Sequence, residues 1–143
     1  MERYLEMKEK IAEAVKANLQ DAIALNDDLA DHPELSGEEY ESSRKIVELL
    51  KHKGFDVEYP FAGLPTSFKA TYGRNDHKYK VAIMTEYDAL PGIGHACGHC
   101  VSASIRVLAG IAAVQPPDAL DAEIDVIGTP VEETTGAKCT LTK

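Results

Sequence analysis

Between Glu86 and Cys100 the chain reads EYDALPGIGHACGHC, so the carboxylates Glu86 and Asp88 run into His95, Cys97, His99 and Cys100. Thiolate sulfur and neutral imidazole nitrogen are the usual ligands of zinc. Cys97 and His99 are one residue apart. Both reach one ion only where the backbone is extended or turned, because such positions diverge on a regular helix. Gly94 and Gly98 supply the backbone freedom that a tight ligand loop needs. Asp88 either joins the ligand set or hydrogen-bonds an imidazole and fixes its tautomer. Spacing of the C-x-H kind also arises where no metal binds.

A second patch, GTPVEE, runs from Gly128 to Glu133. Adjacent carboxylates after an apolar stretch are costly unless something neutralises them. A cation would do so. One carboxylate could then bind the cation while its neighbour takes a proton from water. Most bare Glu-Glu pairs are solvated loop charges, so the argument for Glu132 and Glu133 rests on their placement at the end of a strand.

Two competing readings apply to the first patch. Cys97-Gly98-His99-Cys100 is also a C-x-x-C sequence, the spacing of thiol–disulfide oxidoreductases. At a helix N-terminus the first thiol would be acidic and nucleophilic, and Thr129-Pro130 would be the proline loop facing it. Against this, roughly a dozen residues separate Cys97 from its strand, and Ala96 stands where such motifs carry Trp. That reading also leaves EYDALPG and Glu132-Glu133 unused. The plainest alternative is ordinary buried thiols and surface histidines.

The elements that must position these residues are legible around them. From about Tyr4 to Ala30 there is no Pro or Gly, and Ile11, Val15, Leu19, Ile23 and Leu25 recur at near-helical spacing. His32 is expected on the surface or at the helix end, which Pro33 enforces. Ser36 and Glu39 match a capping box for a second helix, with Ile46, Val47, Leu49 and Leu50 as its buried stripe and Gly54 past its end. Strands are predicted over Phe55–Tyr59 and Thr66–Tyr72, with a turn at Gly73–Asp76. Tyr79–Met84 is more continuously apolar and predicts a central strand buried on both faces. Val101–Val114 predicts a buried helix stopped by Pro116-Pro117, and Ala122–Gly128 another central strand before the Thr129-Pro130 loop. The order predicts an α/β domain whose functional loops lie beyond the carboxyl ends of its strands.

Composition bounds the possibilities. A hydrophobic content of 44% in 143 residues is enough for a core and excludes global disorder. The net charge of −9 disfavours a nucleic-acid partner, which needs a basic face. No apolar run approaches the roughly twenty residues of a membrane span. The opening MERYLEMKEK is charged where a secretory signal is apolar. Three cysteines make no disulfide framework, so a reducing, cytoplasmic setting is expected.

Together, PTSFKA at Pro65–Ala70, EYDALPGIGHACGHC, and GTPVEETTGAK at Gly128–Lys138 resemble metallopeptidase family 20. These are the zinc-dependent aminoacylases and carboxypeptidases. The branch that fits best holds aminobenzoyl-glutamate hydrolase and the β-alanyl-lysine dipeptidase-like proteins. The resemblance runs along the whole chain. It implies an α/β, three-layer zinc-exopeptidase-like catalytic domain with a mostly parallel mixed central sheet. It implies that Cys97, His99 and Glu133 ligate metal, Cys97 bridging two ions, that Glu132 is the general base and that Asp88 is a supporting acid. The implied activity is metal-dependent hydrolysis of amide bonds in small N-acyl amino acids or dipeptides. Two Zn2+ ions would serve it, with Mn2+ or Co2+ as substitutes, and the full-length enzyme would be a homodimer.

The chain departs from that pattern twice. Cys100 follows the Gly-His pair where the family carries Asn or Asp. Family members are also longer, with a lid or dimerisation domain and further His ligands after the Glu pair. Here no His follows His99. Residues 1–143 are therefore expected to be the N-terminal portion of the catalytic domain, with an incomplete metal site. A non-catalytic fragment that binds metal or a partner is the alternative expectation.

Overall fold

The computed structural model describes residues 1–73, 76–114 and 121–142. It opens with α1 (Glu2–Asp31), which ends where Pro33 forbids further helix. His32 caps it and is exposed, as expected. The buried face is Ala14, Asn18, Ala22, Leu25 and Leu29. The stripe predicted through Leu19 and Ile23 is therefore rotated: both are about two-fifths exposed, at 41% and 42%. α1 packs mainly on the later helix α3 (His99–Ala113), and its small alanines let the two helices approach closely.

α2 (Tyr40–His52) buries Ile46, Val47 and Leu50 and leaves Leu49 half-buried. The expected capping box does not form; the first-turn amides of Glu41 and Ser42 go to the Glu34 carboxylate, at 3.1 and 2.6 Å. Ser36 donates instead to Asp88, and Glu39 accepts from Thr66 and Val131. Distant partners satisfy both groups better than their local neighbours can.

The strands are β1 (Asp56–Glu58), β2 (Lys69–Tyr72), β3 (Tyr79–Thr85) and β4 (Ala122–Gly128). They form one mixed sheet in the order β1-β2-β4-β3. β1–β2 and β2–β4 are antiparallel, and β3–β4 is parallel. Alternation along β4 sends Ile124 and Val126 to the helix-covered core, beside Ala70, Val107 and Ile111. Glu123 and Asp125 point the other way, where Lys80 and Lys69 pair with them at 2.8 and 3.1 Å.

Two expectations about burial are corrected. β4 is central as predicted, but β3 is the edge of the described sheet, with Tyr79, Val81 and Met84 about half exposed. Its apolar run marks a strand suited to burial, yet burial depends on neighbours that its own residues do not encode. α3 is likewise buried on one face only, since Val101 and Ile105 face solvent. A short helix, α4 (Lys138–Leu141), has no counterpart in the sequence-based reading. Pro116-Pro117 and the middle of the predicted Gly73–Asp76 turn lie outside the described residues. Among the described residues, no helix is long and apolar enough to cross a membrane.

Candidate metal centre

The parallel register sets Thr85 of β3 beside Gly128 of β4. The segments leaving these two strands therefore emerge side by side at the carboxyl end of the sheet. Thr129 ties them, giving both its amide and its hydroxyl to the Thr85 carbonyl, at 2.8 and 3.0 Å. The first segment carries Glu86, Tyr87 and Asp88, all buried. The second carries Glu132 and Glu133.

α3 supplies the third component. Gly98 enters it with φ +78°, a left-handed conformation that favours glycine, and His99 is its first residue. His99 is buried and its Nδ1 lies 2.9 Å from the Asp88 carbonyl. A carbonyl only accepts, so Nδ1 carries the proton, and in the neutral ring Nε2 presents a lone pair. That nitrogen lies 3.6 Å from Glu86 Oε2, 3.6 Å from Glu132 Oε2 and 3.8 Å from Glu133 Oε1. Donor atoms of His99, Glu132 and Glu133 all fall within 4.8 Å of one another.

The acids around this ring are not equivalent. Asp88 Oδ2 accepts the Ser36 hydroxyl and the Glu133 main-chain amide, the latter at 3.0 Å, while Oδ1 lies 3.1 Å from His99 Nδ1. Glu86 is compensated by Lys138 and by Arg106, the latter at 3.2 Å. Burial raises the Glu86 carboxyl, but these two cations together outweigh burial and leave it below its ordinary value. Glu133 Oε1 is buried without a hydrogen-bond partner among the described residues.

Cys97 is exposed and sits beside this group rather than within it. Its contact with the Glu133 carboxylate, then burial and the nearby charges of Glu132 and Asp88, push its thiol above the ordinary value. An activated redox thiol needs the opposite shift. Cys100, the other half of the C-x-x-C sequence, packs in the hydrophobic core with Ala103 and Val107. His95 is half-buried near His99. Burial, then the second imidazole, holds it below its usual range.

The structure thus brings His99, Glu132 and Glu133 together, sets Asp88 behind them and leaves Cys97 at the rim. These residues fit a divalent cation. An imidazole lone pair and several carboxylate oxygens converge from three segments, one oxygen lacks a partner, and the crowded negative charge calls for compensation. Sequence reasoning passes over Arg106 and the partners of Glu39, which no local spacing signals, and assigns Ser36 to a helix cap instead of to Asp88. Lys138 closes the GTPVEETTGAK stretch, but nothing in that stretch assigns it to Glu86.

No protein-family model matches the chain. It is 31% identical to Xaa-Arg dipeptidase of Mus musculus, over 94% of this chain and 34% of that protein. It is 30% identical to a p-aminobenzoyl-glutamate hydrolase polypeptide of Escherichia coli, over 71% of this chain and 24% of that one. Its fold matches the crystal structure of a Bacillus subtilis dinuclear metal binding peptidase from the M20 family. The TM-score is 0.76 at 27% identity, over 89% of this chain and 39% of the other. The chain spans about a third of the length of the first of these curated relatives and about a quarter of the second.

Proposed function

Because the chain belongs to metallopeptidase family 20 and corresponds to the N-terminal part of its members, we propose that it carries the first metal ligands and the general base of an amidohydrolase. The substrates would be small N-acyl amino acids or dipeptides. The observation that carries this reading is His99, fixed so that Nε2 faces three carboxylates at 3.6 to 3.8 Å. A lone pair aimed at negative charge is repulsive unless Nε2 takes a proton or a cation lies between them, and a divalent ion would engage the imidazole and the carboxylates together.

In this reading Cys97, His99 and Glu133 hold the metal. When bound, divalent ions polarise an amide carbonyl and make water acidic enough to react near neutral pH. Asp88 keeps the His99 ring in its tautomer through its main-chain carbonyl and holds the Glu133 backbone through its carboxylate. Glu132 is the proton carrier. Its side chain is 38% exposed against 17% for Glu133, so it is freer to swing. It takes a proton from the attacking water and delivers it to the leaving amine.

The same reading makes residues 1–143 the N-terminal portion of a catalytic domain. Further ligands and the lid or dimerisation domain come from polypeptide outside them, and the full-length enzyme is a homodimer. Zn2+ suits the Cys, His and carboxylate donors, with Mn2+ or Co2+ as alternatives. A cytoplasmic setting fits the free thiols of Cys97, Cys100 and Cys139. The test is Glu132→Ala in the full-length enzyme, assayed on a dipeptide with metal content measured in parallel. Turnover should vanish while metal content holds, whereas unchanged turnover rejects the base.

A second reading has one observation in its favour. The exposed apolar edge at β3 suits a separate partner chain, so the 143 residues alone would bind metal or a partner without hydrolysing amides. Dipeptide hydrolysis by the purified 143-residue chain would exclude it.

A further inference from the structure

We propose that Glu39 is a positioning residue that sets the aim of Glu132 and Glu133, an inference that deepens the metal-centre reading above and rests on it. Glu39 is wholly buried, at 0% exposure, although it lies far along the chain from either site segment. Its Oε1 accepts the Val131 amide at 2.9 Å, and its Oε2 accepts the Thr66 hydroxyl at 3.0 Å. Val131 has φ +55°, a left-handed conformation that β-branched residues rarely adopt. Such a backbone persists only where its surroundings over-determine it.

Those surroundings can be named. The Val131 carbonyl accepts the Gly136 amide at 2.7 Å, which closes the loop behind it. The Val131 amide is taken by Glu39, and two residues on the Glu133 amide is taken by Asp88. Glu132 is therefore suspended between two main-chain amides, each clamped by a buried carboxylate from another part of the fold. Glu39 also reaches the other site segment. Thr66, which donates to it, accepts the Tyr87 hydroxyl at 2.6 Å through its carbonyl, and Tyr87 adjoins Asp88. One side chain thus couples the Glu86–Asp88 segment to the Val131–Glu133 turn.

The experiment uses the full-length enzyme with Glu39→Ala and Glu39→Gln. Hydrogen exchange of single amides is read by NMR, and Co2+ alone is titrated calorimetrically. In Glu39→Ala the Glu133 amide, which Glu39 does not touch, should lose protection well beyond that of β4 core amides. Co2+ affinity should fall about tenfold or more. Glu39→Gln should restore both, since its carbonyl still accepts from Val131 and its amide can donate to Thr66 Oγ1. Should Glu39→Ala not fold, Glu39→Met keeps the volume without the acceptors and decides by the same readings. A folded variant in which Glu133 is no less protected, relative to β4, than in the parent overturns the proposal. So does a Gln variant as impaired as the Ala one. If the parent enzyme binds no Co2+, the metal reading fails, while the Glu133 exchange rate still decides the role of Glu39.

Discussion

The main-chain amide of Glu133 donates to Asp88 Oδ2 at 3.0 Å, across 45 positions of sequence. This bond joins the segment after β4 to the segment after β3. Asp88 also holds His99, whose Nδ1 lies 2.9 Å from its carbonyl. One buried residue thus fixes the relative position of an imidazole and a carboxylate that enter the site from different elements. Parallel pairing of β3 and β4 makes this possible, because it brings both segments out at the same end of the sheet.

Asp88→Ala should therefore damage the site more than its distance from solvent suggests. It strands the part-buried Glu133 amide and Ser36 hydroxyl, each at about 1 kcal/mol, since water can partly replace the lost acceptor. Thermal unfolding should show that loss, and Co2+ affinity should fall about 10–100-fold. Affinity equal to that of the parent chain would mean that Asp88 positions nothing.

Gly128 should tolerate no side chain. A Cβ there would lie 2.5 Å from the Phe68 ring and 2.6 Å from the Tyr87 hydroxyl, both fully buried. Gly128→Ala should cost about 1–3 kcal/mol through overpacking, read by denaturant unfolding. The strain falls at the root of the Glu132–Glu133 turn, so metal affinity should drop with it. A neutral substitution would show that Phe68 and Tyr87 have room to retreat.

Much of this layout is legible in the chain, and the failures share a cause. The motif around Cys97 and His99, the Glu132-Glu133 pair and their places after β3 and β4 follow from local pattern, because strand periodicity and loop chemistry are local properties. Ser36 and Glu39 match a capping box because the spacing is the same whether or not the box forms. Their partners Asp88, Thr66 and Val131 lie in other segments. The face that α1 buries is partly misplaced for a similar reason, since packing against α3 puts Ala14, Ala22 and Leu29 inside with Leu25 and leaves Leu19 and Ile23 out. The edge position of β3 depends on sheet order, which strand composition does not carry.

Stability should fall in acid partly through the contact between α1 and α2. Lys45 Nζ lies 2.5 Å from Asp28 Oδ2, and that hydrogen bond, opposed by slight burial, holds the Asp28 carboxyl below its ordinary value. A depressed carboxyl stabilises the fold above its unfolded value, near pH 4, and the contribution is lost as pH falls through the folded value. Both side chains are more than a third exposed, at 38% for Asp28 and 34% for Lys45, so solvent screening limits the pair to about 1 kcal/mol or less. Lys45→Ala should lower the melting temperature slightly at pH 7 and leave it unchanged once Asp28 is protonated. An equal difference at both pH values would assign the loss to packing of the Lys45 stem.

The most direct test of the metal centre is calorimetric titration of the full-length enzyme with Co2+, alongside His99→Ala, Glu133→Ala and Cys97→Ala. Saturable binding is predicted for the parent enzyme, lost in the first two variants and weakened in the third. No binding by the parent enzyme, or binding that survives His99→Ala unchanged, would contradict the assignment of this cluster as a metal centre.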